Sequence, residues 1–106
     1  MKKKTETKKE EIKIYNDIAI TLTAWELFEG EKSDRLRCSA FAGRDKDGNY
    51  NKDINVTVFI NEDTNTDDFE FDNKRTPVDV VGRISFGRYK DEPQITIFAE
   101  KIVTRK

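Results

Sequence analysis

Arg83, Arg88, Tyr89 and Lys90 crowd around Gly82 and Gly87 near the end of the sequence. Arg37, Phe41, Arg44, Lys46 and Tyr50 form a second group, and Asn55 and Phe59 follow within a short apolar run. Guanidinium and ammonium groups hold phosphates, and aromatic rings stack on bases; a sheet carrying both is a candidate surface for single-stranded nucleic acid. We assign phosphate contacts to Arg37, Arg44, Lys46, Arg83, Arg88 and Lys90, and base stacking to Phe41, Tyr50, Phe59 and Tyr89, with Asn55 on the same face. Other chemistries have little to work with. The chain has no histidine and one cysteine, which removes the commonest general base and the usual zinc ligand sets. Asp45-Lys46-Asp47-Gly48 has the start of a calcium loop, but position 12 of such a loop falls on Val56, where an acid is required. We therefore expect no enzyme, no cofactor, no metal and no small-molecule substrate.

The elements that must position these groups are strands. From Ile12 the apolar period is near two: Ile12 and Ile14, then Ile18, Ile20 and Leu22, with Trp25, Leu27 and Phe28 following. This predicts a long first strand, bent or bulged around Asn16-Asp17. In a second strand Leu36, Cys38, Ala40 and Ala42 share one face, and Arg35, Arg37, Ser39 and Phe41 the other. Asp45 to Asn49 is a hairpin turn. A third strand sets Ile54, Val56, Val58 and Ile60 inward and Asn55, Thr57 and Phe59 outward. Glu62 to Asp72 favours turns over helix and reads as a loop with one helical turn. Val78 to Phe86 is the fourth strand, with Val80, Ile84 and Phe86 opposite Arg83 and Ser85. Gly82 inside it signals a bend, a bulge or close backbone approach. A turn over Arg88–Asp91 leads into a fifth strand, Gln94 to Val103. Five such strands, with a longer link between the third and fourth, fit an all-β, five-stranded Greek-key barrel of the oligonucleotide/oligosaccharide-binding (OB) type. An SH3-like barrel or an open sheet are the alternatives.

One domain is expected over 12–106, preceded by a disordered lysine-rich tail over 1–11. The net charge of −1 hides segregation: residues 61–73 hold six acids and no base, while residues 74–106 carry a net +4. Local field matters more to a polyanion than the sum. The acidic segment reads as a solvated loop, with competition for the protein's own groove as the sharper alternative. No run approaches the roughly 20 apolar residues of a membrane span. No apolar segment follows the N-terminal lysines as a secretory signal would, and Cys38 is alone, so a reducing cytoplasm is expected.

Three stretches resemble the bacterial and phage single-stranded DNA-binding proteins. Gly43 to Tyr50 is similar to that family's charged hairpin, and Ile54 to Ile60 to its apolar third strand. Val78 to Ile84 with Arg88-Tyr89-Lys90-Asp91 is similar to its fourth strand and basic-aromatic turn. The resemblance implies an OB fold, base stacking without a cofactor, a role in replication or recombination, and a dimer or tetramer. Tyr89 and Phe59 fall where the family carries stacking aromatics; Ile54 stands where it usually has tryptophan. The family's glycine-rich linker with acidic tip, and its helix between strands three and four, have no counterpart, which suits a shortened phage or mobile-element version. The expected partner is thus single-stranded DNA or RNA, bound without sequence preference. The rival reading is an assembly module, such as a phage structural barrel, whose aromatic face joins copies of the chain. In the blandest reading, Phe41 or Phe59 packs under a loop and Arg83 to Lys90 form an ordinary solvated hairpin.

Overall fold

A computed structural model describes residues 16–105, apart from the side chain of Tyr89. The predicted tail over 1–11 and the predicted start of the first strand, Ile12 to Tyr15, lie outside the described residues. The strands are β1 (Asp17–Phe28), β2 (Ser33–Ala40), β3 (Ile54–Asn61), β4 (Thr76–Tyr89) and β5 (Glu92–Thr104). They close into a barrel in the order β1-β2-β3-β5-β4. Every pairing is antiparallel except β3 with β5, which runs parallel from Val56↔Ile95 to Phe59↔Phe98. The β1–β4 pairing closes the sheet, and with the single parallel seam this is the expected five-stranded OB-type barrel and not an open sheet. Among the described residues there is no helix, hence none long and apolar enough to cross a membrane.

The period-two pattern sorts the side chains. Leu22, Ala24, Leu36, Cys38, Val56, Val58, Val78, Val80, Ile97 and Ile102 fill the barrel, and Ile18, Ile20, Leu27 and Ile84 pack against them half-buried. Burial raises the Cys38 thiol to about 12, because a thiolate there would lose its hydration. Two predicted inward positions are corrected. Ile54 is 44% exposed and Phe86 68% exposed; each has the right phase, but at its position the strand has run past the rim of the barrel. Ala42 lies beyond the end of β2.

Irregularities fall where strands change partners. β1 pairs with β4 up to Ala24 and with β2 from Thr23 onward, and Trp25 is the extra residue at this handover. The predicted bulge at Asn16-Asp17 is absent: Asp17 pairs regularly with Arg83, and the Asn16 carbonyl accepts from the Ile84 N–H at 2.8 Å. On β5, Glu100 is extra between Ala99 and Lys101, opposite Val81-Gly82. A Cβ on Gly82 would stand 2.2 Å from the Phe98 carbonyl oxygen, so the close approach read from this glycine is real. At the edge of β4, the Thr21 hydroxyl donates to Asp79 at 2.6 Å and Arg105 pairs with it at 3.2 Å; the hydroxyl first, then the guanidinium, hold the Asp79 carboxyl below its ordinary range.

Both ends of the barrel are finished by loops. The β3–β4 connection forms turns without the predicted helical turn. It is stitched to β5: the Asn65 N–H donates to Glu100, the Ile102 N–H to Asn65, and the Thr104 N–H to Asp68. Thr64, buried, donates its hydroxyl to the Ala99 carbonyl at 2.8 Å. Phe69 and Phe71 pack against the core from this loop, which thus does the work of a capping helix. At the other end, two arms project. The β2–β3 arm turns at Asp45–Asn49, where Asp45 accepts from the Asp47 and Asn49 N–H groups and Gly48 takes a φ of 85°. The β4–β5 arm is a continuous hairpin whose turn is confined to Lys90 and Asp91, at φ 53° and 64°. Arg88 and Tyr89, predicted in the turn, are strand residues.

Candidate nucleic-acid interface

Outward side chains alternate with the core, so the registers decide which of them meet. Cα pairing links Phe28↔Arg35, Arg35↔Phe59, Phe59↔Phe98 and Phe98↔Arg83. All five are outward positions, so a row of aromatic and arginine side chains crosses four strand seams. Phe59 and Phe98 stack with centroids 5.5 Å apart and planes 13° from parallel. The Arg35 guanidinium lies 5.7 Å from the Phe28 ring centre. A second row, Glu26–Arg37–Thr57–Thr96–Ser85, runs beside the first. Arg37 reaches across rows, 5.6 Å from both the Trp25 and the Phe28 ring centres. Cation–π contacts of this kind contribute about 0.5–1 kcal/mol each at exposed sites. Between the rows lies an open cleft of about 220 Å³ lined by Phe28, Arg35, Arg37, Thr57, Phe59 and Gln94.

The arms flank this face. Because β3 and β5 run parallel with Val56 beside Ile95, the β2–β3 arm entering at Ile54 and the β4–β5 arm leaving at Gln94 rise from the same end of the barrel. On the first arm, Phe41 and Tyr50 are 70% and 67% exposed and meet edge to face at 6.0 Å. Arg44 lies 4.4 Å over the Tyr50 ring and donates to its hydroxyl; Lys46 sits at the tip. The second arm carries Phe86, Arg88 and Lys90, with Arg88 donating to the Asp91 carbonyl at 3.4 Å.

The predicted residues therefore fall into three places. Arg37, Asn55 and Phe59 share the sheet face, joined by Arg83 through Phe98. Phe41, Arg44, Lys46 and Tyr50 belong to one arm, and Arg88, Tyr89 and Lys90 to the other. Phe41 and Phe59 both point outward but are not one cluster. Phe98, Phe28 and Arg35 join the face without having been assigned to it from sequence, and Trp25 stands half-buried beside Arg37. Phe98 is out of phase with Ile95 and Ile97 and was legible as outward; its stacking on Phe59 depends on a parallel register that no local pattern encodes.

A larger hollow lies elsewhere. A depression of about 560 Å³ lies along Glu70, Phe71, Asp72, Thr76 and Thr104, at the acidic end of the barrel. Its carboxylates repel phosphate, and it has no cation among its lining residues. The chain matches no protein-family model and no curated protein sequence.

Proposed function

We propose that this barrel binds single-stranded nucleic acid, DNA first, without strong sequence preference, in the cytoplasm and in the service of replication or recombination, as the resemblance to single-stranded DNA-binding proteins implies. The observation that carries the reading is the row Phe28–Arg35–Phe59–Phe98–Arg83 lying below two arms that each present cations and exposed rings. Every base has a π-face, so stacked rings accept any base, and arginines alternating with them lie within reach of the backbone. Nothing is turned over. A strand would lie along the face, with the arms folding over its phosphates.

The test is fluorescence anisotropy of labelled oligo(dT) at about 50 and 200 mM salt. Micromolar or tighter binding that weakens as salt rises is the expected result. Phe59→Ala and Phe98→Ala each weaken binding by about 1–3 kcal/mol, with little loss of stability because both rings lie outside the core. An unresponsive DNA signal beside a stable, salt-insensitive oligomer supports the rival assembly reading. The exposure of Phe86 and Val81 favours that rival, and a dimer or tetramer is compatible with either.

A further inference from the structure

We infer that the cleft at the β1 bulge is a subsite for the edge of one keto pyrimidine base, thymine or uracil; this rests on the nucleic-acid reading above. The cleft is lined by Trp25, Arg37, Cys38, Asn55, Val56 and Thr57 and measures about 100 Å³. Trp25 faces outward beside Arg37 because it follows the inward Ala24, and as the extra residue of β1 it is followed by a second outward residue, Glu26. The indole Nε1–H is buried and has no hydrogen-bond partner. An unpartnered buried donor is uncommon and marks a place where an acceptor is missing. The exposed Arg37 side chain over the ring is long enough to move aside.

The polar inventory selects the ligand. Indole and guanidinium are donors only, the Asn55 amide offers two donors and an acceptor, and the Thr57 hydroxyl offers both. Such a set wants a ligand richer in acceptors than in donors, with one donor for the Asn55 Oδ1. The pairing edge of thymine or uracil is carbonyl, N–H, carbonyl. The N3–H donates to the Asn55 Oδ1, one carbonyl accepts from the Asn55 amide, and the other accepts from Trp25 Nε1. Size permits it. A closed cavity of about 150 Å³ holds a benzene ring, so an open cleft of about 100 Å³ takes the edge of a single six-membered ring, and the donor–acceptor pattern selects which base supplies it.

Pyrimidine runs bind many such proteins better through backbone flexibility alone, so the test isolates hydrogen bonding. Oligo(dT) is compared with the same strand in which thymines are replaced by the nonpolar isostere difluorotoluene, by anisotropy of the labelled strand. Oligo(rU) and its difluorobenzene counterpart form a second arm that tells the DNA and RNA sources apart. The wild-type chain discriminates by about fivefold in at least one arm. Trp25→Phe, which keeps an aromatic ring and removes the N–H, and Asn55→Ala, at an exposed position, each bind natural and isosteric strands alike, while circular dichroism confirms the fold. Equal binding by the wild type in both arms overturns the subsite, as does full discrimination retained by both variants. Binding without discrimination sinks the subsite alone; no binding of any strand sinks the functional reading with it.

Discussion

Arg37 and Cys38 are neighbours in the chain and stand on opposite sides of one sheet. The guanidinium lies over two aromatic rings in solvent, and the thiol sits fully inside the barrel. The thiol gives this arrangement a measurable consequence. Its pKa rises from an ordinary 9.0 to about 12 in the fold because burial disfavours the thiolate. An acid whose folded pKa is raised keeps its proton while the unfolded chain ionises, so the unfolded state binds fewer protons and stability falls as pH climbs between those two values. Urea midpoints at about pH 7 and about pH 10 should fall with pH more steeply for the wild type than for Cys38→Ala, the comparison cancelling the titration of lysines and tyrosines. Equal slopes in the two proteins would mean that the thiol is not sealed from water. Thiol reagents should likewise modify Cys38 only after unfolding, since the reactive species is the thiolate.

At the scale of elements, the β4–β5 contact at Gly82 ties the fold to the site. The missing Cβ lets β4 approach the Phe98 carbonyl, and Phe98 is the ring stacked on Phe59. Gly82→Ala should cost about 3 kcal/mol, at the upper end of overpacking effects, because the obstacle is backbone and cannot rotate away. It should also weaken oligo(dT) binding, by displacing Phe98. Gly87→Ala is the control: nothing lies within 4 Å of its Cβ position, and its stability should stay within about 0.5 kcal/mol of wild type. A Gly82→Ala protein with an unchanged urea midpoint would contradict the close approach. The same pair of residues shows what a single sequence can and cannot reveal. Gly82 was legible because a glycine weakens the apolar strand that holds it unless a bulge or a neighbouring backbone needs the room. The alternation Val56, Val58, Ile60 against Asn55, Thr57, Phe59 was legible because a strand has a fixed period. The stacking of Phe59 on Phe98 was not, since it joins strands far apart in the chain by a register that only barrel closure sets. Ile54 and Phe86 were misplaced for a related reason: phase tells which way a side chain points, but the barrel's rim decides whether there is a core to point into.

The whole molecule is polar in charge along its barrel. The arms, with Arg44, Lys46, Arg88 and Lys90, rise from one end, while the acidic β3–β4 loop is bonded to the far end of β5 through Asn65, Asp68 and Glu70. β5 spans 13 residues, and at about 3.3 Å per residue that is roughly 40 Å from tip to tip. A Debye length at physiological salt is about 8 Å, so charges at the two ends are screened from one another. Asp67 and Asp68, bonded beside Thr104, therefore lie at the opposite end of β5 from the arms and are screened from the cations there, and without the six acids of residues 61–73 the chain would carry +5. The expected outcome is asymmetric. Asp67→Asn with Asp68→Asn should leave oligo(dT) affinity within about twofold and the salt slope unchanged. Arg44→Ala and Arg88→Ala should each lower affinity for every strand alike and reduce the slope of log affinity against log salt by about 1. Anisotropy titrations over a salt series read both quantities together. A rise in affinity on neutralising the loop would mean that it reaches the groove after all, and equal effects at the two ends would mean that the binding strand is steered by total charge and not held between the arms.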